Sequence, residues 1–137
     1  MKTFNEALHY LLTKAIPTEQ TETISIFDAL GRVLAQSIVS PVNVPPHDNS
    51  MMDGYAIHAF DLEHNDTFEV SQRIPAGTTP KPLQTGTAAR IFTGAPIPEG
   101  ANMVIMQEET EQVSESQIRI TANKTKPNQN IRVVGED

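Results

Sequence analysis

Near the start of the chain, Phe4, Ala7, Leu8, Leu11, Leu12 and Ala15 recur at intervals of three and four. That spacing lines them along one face and predicts an amphipathic helix over Thr3 to Ile16. Thr3 and Glu6 complete a capping-box pattern, in which the threonine hydroxyl accepts from a first-turn N–H and the glutamate reaches back to the cap's own N–H. Pro17 has no N–H to donate and ends the helix. Beyond it the period changes. Glu22 to Phe27 alternates polar and apolar residues and Val33 to Val39 is rich in β-branched ones, so both are expected as strands, with Asp28-Ala29-Leu30-Gly31 as the turn between them. Pro41, Pro45 and Pro46 then stiffen an extended crossover.

After these prolines the apolar runs become short and are separated by turn residues. Strands are expected near Tyr55 to Ala59, Thr67 to Ile74, Ala88 to Phe92, Met103 to Glu109 and Gln117 to Thr121. The prolines of Pro75-Ala76-Gly77-Thr78-Thr79-Pro80-Lys81-Pro82 make that stretch a restrained loop. The expected fold class is α+β and predominantly β. A helix and linker strands occupy residues 1–45, and an irregular β-barrel-like or sandwich domain of short strands occupies 46–137.

Composition narrows the functions open to such a chain. A length of 137 residues suffices for a real core. Seventeen acidic against ten basic residues give a formal charge of −7, which repels a nucleic acid backbone at long range. An anionic ligand would therefore need positive groups supplied locally. There is no cysteine, so disulfides and thiolate metal sites are excluded. No apolar run is long enough to cross a bilayer, and the first residues lack a secretory pattern, so a soluble cytoplasmic protein with no membrane partner is expected.

Three segments carry candidate chemistry. In Asp48-Asn49-Ser50-Met51-Met52-Asp53-Gly54, polar side chains that bind their own backbone precede an Asp-Gly pair suited to a tight turn. The segment is either a plain turn into a strand or a site where Asp48 and Asp53 hold Mg²⁺ or orient water. In Thr93-Gly94-Ala95-Pro96-Ile97-Pro98-Glu99-Gly100, the loop either joins two strands or offers the Thr93 hydroxyl and, at Gly94, backbone N–H groups to an oxyanion. The third, Ile131-Arg132-Val133-Val134-Gly135-Glu136-Asp137, is either a solvated terminus or the entry into further structure. His9, His47, His58 and His64 show no metal-ligand pairing. Met51, Met52, Met103 and Met106 are expected to fill core, and Glu108, Glu109 and Glu111 to form a solvated strand edge. Nucleotide-loop, dinucleotide and Gly-x-Ser-x-Gly signatures are absent.

Taken in order, Pro45 to Ala56, Thr93 to Ala101 and Ile131 to Asp137 resemble the successive signatures of the MoeA family, the molybdopterin molybdenumtransferases, whose relatives include the E domain of gephyrin. Ala29 to Ala35 and Val104 to Glu108 also resemble it, so the likeness spans nearly the whole chain. The resemblance implies insertion of molybdate into adenylylated molybdopterin, with release of AMP and a need for Mg²⁺. It implies a homodimer in the full-length protein and contact with other molybdenum cofactor synthesis enzymes. It further implies that this chain holds part of the family's first domain and its β-rich inserted domain, without the molybdopterin-binding α/β domain or the C-terminal β domain. Carried over by motif, Asp53, Thr93 and Asp137 are the expected catalytic residues. Asp53 and Asp137 are the candidates for Mg²⁺, and Asn49, Ser50 and Gly94 are expected to bind cofactor. A non-catalytic scaffold built on the same domain is the alternative. Met51 departs from the small alanine usual in the family, and Val133 and Val134 from positions that are often basic.

Overall fold

The computed structural model describes residues 2–137. The chain divides into two compact units, Met1–Val39 and Ser40–Asp137.

In the first unit, helix α1 spans Phe4–Lys14. The Thr3 hydroxyl accepts from the Glu6 N–H at 3.3 Å, and the Glu6 carboxylate accepts from the Thr3 N–H at 2.7 Å, so the predicted capping box forms. At the other end, Ala15 donates to the Leu11 and Leu12 carbonyls before the chain reaches Pro17. The two strands expected at 22–27 and 33–39 do not form. A 3-10 turn at Ile26–Asp28, capped by the Ser25 hydroxyl, replaces the end of the first. A strand needs a paired ladder and a surface for its side chains, and these residues have neither: Phe27 and Val33 are 93% and 94% exposed.

The second unit is built on a six-stranded sheet. Its strands are β2 (Gly54–Ile57), β3 (Thr67–Ile74), β4 (Thr87–Ile91), β5 (Met103–Met106), β6 (Thr110–Gln112) and β7 (Gln117–Ile120), in the order β5-β2-β4-β3-β7-β6. Only β3 and β4 run parallel; the other neighbours are antiparallel. Side chains alternate across the sheet, so successive residues of the central strands feed two separate cores. Ile57, Ala88 and Ile105 join Phe68, Met103, Ile118 and Ile120 in one. Ala56, Ala89 and Val104 join Ile74, Ile91 and Ala95 in the other. Burial on both faces explains why these strands read as unbroken apolar runs. The predominantly β fold expected from the sequence is the one observed.

Several local expectations need correction. Strand β5 ends at Met106, and Gln107–Glu109 turns as a 3-10 helix into the edge strand β6, so that of the three acids expected on a strand edge only Glu111 lies on the strand. Helix α2, Ala59–Leu62, is a single turn capped by His58, too short to show a period. Met103 is buried, but Met51 and Met52 are 49% and 37% exposed and fill no core. Gly54 is not a turn glycine. It starts β2, where a Cβ would lie 1.9 Å from the Ile105 carbonyl oxygen, so a side chain there would drive the two strands apart.

Candidate functional site

The segment Asp48 to Asp53 is gripped from two sides. On one side, strand β1 (Asn49–Ser50) pairs antiparallel with β8 (Ile131–Arg132), and Met51 donates to the Asn130 carbonyl at 2.9 Å. On the other, Ser50 donates to Ala95 and accepts from Gly94, at 2.9 and 2.8 Å, and Ile97 donates to the Asp48 carbonyl at 2.9 Å. Gly94 adopts φ +79°, a left-handed conformation that glycine reaches without steric cost. All three motif segments thus meet along one short backbone ladder.

Within this clamp Asp53 and Thr93 make the closest functional pair. Oδ1 of Asp53 accepts from the Thr93 backbone N–H at 2.8 Å and from its hydroxyl at 2.9 Å. These two bonds, the backbone one foremost, hold the Asp53 carboxyl below the usual carboxylate range. Partial burial opposes them, and the nearby Arg90 guanidinium adds a smaller pull in the same direction. Asp53 is therefore ionised at neutral pH, and its second oxygen, Oδ2, accepts no hydrogen bond among the described residues. The anion served by the Thr93 N–H and hydroxyl in this structure is Asp53 itself.

The other expected residues are engaged with partners outside this pair. Asp137 pairs with Arg132, and its N–H donates to the Val44 carbonyl at 2.9 Å. No hydrogen bond joins it to Asp53 or Thr93 among the described residues. Asp48 is occupied structurally, its Oδ1 accepting from the Val134 N–H at 2.8 Å. The Ser50 hydroxyl is buried and donates to the Met52 carbonyl at 2.6 Å, and Asn49 Oδ1 bonds His47 Nδ1 at 2.6 Å. Gly94 has open space before it. No group of three or more potential metal ligands occurs among the described residues.

Arg90 escaped the sequence reading. It donates to the Gly54 and Ile91 carbonyls and to Gln107 Oε1, at 2.8, 2.9 and 2.7 Å, and its guanidinium lies 4.4 Å from the Phe92 ring centroid and 5.3 Å from that of Tyr55. The available signal was a cation inside the apolar run Ala88-Ala89-Arg90-Ile91, where a charge needs local partners.

This combination of a curled, mostly β unit and a three-segment clamp defines the class to which the chain belongs. A family model described as the MoeA N-terminal region, domains I and II, matches residues 2–137, and the chain belongs to that family. It is 41% identical over 141 residues to the molybdopterin molybdenumtransferase of Haemophilus influenzae, covering all of this chain and 34% of the relative. It is 41% identical over 120 residues to the enzyme of the same name from Nostoc sp., covering 83% and 28% respectively. The crystal structure of the molybdopterin biosynthesis MoeA protein from Pyrococcus horikoshii superposes with a TM-score of 0.77 at 38% identity, over 97% of this chain and 36% of that one. The chain thus spans about a third of the length of the relatives it matches. No described helix is long and apolar enough to cross a membrane.

Proposed function

We propose that this chain is the N-terminal portion of a molybdopterin molybdenumtransferase, which inserts molybdate into adenylylated molybdopterin and releases AMP in molybdenum cofactor synthesis. Family membership supports the reading. The single observation that carries it to specific residues is the Asp53–Thr93 pair, an ionised carboxylate with one oxygen fixed and the other open. Thr93 acts as a positioning residue: its two donors set the orientation of Asp53 and keep it charged. Arg90, behind the strand start, holds the backbone at Gly54 and tempers the local negative charge.

The donor chemistry fits Mg²⁺, which is commonly held by one or two carboxylates together with waters and substrate phosphates. Asp53 Oδ2 is the oxygen that would hold it, with Asp137 the second candidate. When bound, the ion would offset the repulsion between a carboxylate and the anionic groups of molybdate or the adenylate. Asn49 and Gly94, on the two motif segments that carry Asp53 and Thr93, would contact cofactor through backbone or amide groups. The buried Ser50 serves the clamp. On this reading the domains absent from the chain complete the site, the full-length protein acts as a cytoplasmic homodimer, and it exchanges substrate with other enzymes of the pathway.

The test is turnover. The 137-residue chain, supplied with adenylylated molybdopterin, molybdate and Mg²⁺, is expected to release no AMP, whereas a chain of the relatives' full length does. Robust molybdate insertion by the short chain alone would overturn the proposal.

A further inference from the structure

The six-stranded sheet carries an open surface pocket of about 420 Å³, within the range of small-molecule sites. Two arginines line it, Arg73 on β3 and Arg90 on β4. They sit directly opposite each other in the parallel pair, and this register is made by an irregularity in β3. Val70 pairs with Ala88, so an unbroken ladder would put Gln72 opposite Arg90; the extra residue at Ser71 brings Arg73 there instead. Ser71 stabilises the bulge by bonding Thr87 Oγ1 at 2.9 Å and reaching the Ala88 carbonyl at 3.3 Å.

Like charges directly opposite on neighbouring strands destabilise a sheet. Here neither guanidinium is neutralised by a carboxylate hydrogen bond or ion pair among the described residues. Arg90 is bonded only to uncharged acceptors. Among the described residues the Arg73 side chain has no hydrogen bond, and it lies 4.7 Å from the centroid of Phe92, whose ring also contacts Arg90. Glu115 is the one acid among the lining residues. In a chain of net charge −7, two guanidiniums brought together by a bulge, neither in a direct ion pair among the described residues and Arg90 near the carboxylate of Asp53, form a local concentration of positive charge with donors to spare.

We propose that this pocket is an oxyanion site, in which Arg73 and Arg90 together bind a tetrahedral anion. Such a group could arrive as the phosphate of a phosphorylated small molecule or as a free oxyanion, and the same fork-shaped donors serve both. Arg73 supplies free N–H donors, while Arg90, fixed by its carbonyl bonds and ring contacts, supplies a pre-oriented charge. The inference concerns binding and stands independently of the transferase reading.

The test is an NMR titration of the chain with inorganic phosphate, AMP and molybdate, each alone, following Tyr55, Arg73, Arg90 and Gln117. Saturable shifts at these residues are expected with at least one probe, and the tightest of the three identifies the source of the anion. Arg73→Gln, which breaks no internal hydrogen bond and removes only the exposed contact with Phe92, is expected to weaken that binding about tenfold or more with a nearly unchanged melting midpoint. Arg73→Lys should restore part of it, and Glu115→Gln should tighten it. Absence of saturable binding by all three probes, or binding left intact in Arg73→Gln, overturns the proposal.

Discussion

Leu11 and Ile57 both stand where the apolar pattern marks an interior face, yet Leu11 is 65% exposed and Ile57 is fully buried. The contrast extends to their surroundings. Helix α1 buries none of its residues, whereas the strands of the second unit fill two cores. Periodicity identifies which face a segment turns away from water; whether anything covers that face depends on other parts of the chain. The second unit contains its own partners, strand against strand, and the first does not.

The comparison is sharpest in truncations of equal kind. Phe68→Ala should destabilise the second unit by about 3–5 kcal/mol, through lost burial and the cavity left behind. Leu11→Ala in the same chain should cost under about 0.5 kcal/mol, as for other exposed positions. Urea unfolding of both variants measures the difference, and equal losses would break the contrast between the units. Gly54→Ala is expected to cost about 1–3 kcal/mol, because the added methyl meets the Ile105 backbone rather than a side chain that could move.

A smaller effect concerns acid. The folded-state pKa of Asp53 lies below its unfolded value, so its bonds to Thr93 stabilise the second unit fully above about pH 4 and lose that contribution as pH falls through the depressed value. Thr93→Val should therefore flatten this part of the stability profile below about pH 4, measured by thermal melts across pH. An unchanged acid slope would mean that the pair contributes nothing to linkage.

Much of this was legible in the sequence, for identifiable reasons. The capping box at Thr3 and Glu6 was readable because it depends on residues close in the chain, and the span of β3 because its alternating pattern coincides with partners that the second unit supplies. The missing strands at 22–27 and 33–39 were not, since a β-branched run says nothing of whether a partner is present. Strands β1 and β8 have two residues each and exist only because each pairs with the other, so no local pattern announces them. Within the site, motif resemblance pointed to Asp53 and Thr93 but not to their mutual bond, which spans forty positions. It also offered Ser50 as a contact for cofactor, where folding commits the hydroxyl to Met52. The meeting of Arg73 with Arg90 depends on a single-residue bulge that strand periodicity cannot foresee.

On the proposed reading, the clamp presents the ionised Asp53 to a reaction rather than merely bracing a loop. Asp53→Asn keeps an oxygen for Thr93 to bond and removes the charge. In a chain of the relatives' full length, the rate of molybdate insertion is expected to fall about 100-fold or more, with the melting midpoint at neutral pH nearly unchanged. Wild-type insertion by this folded variant would contradict the account and leave the domain a scaffold.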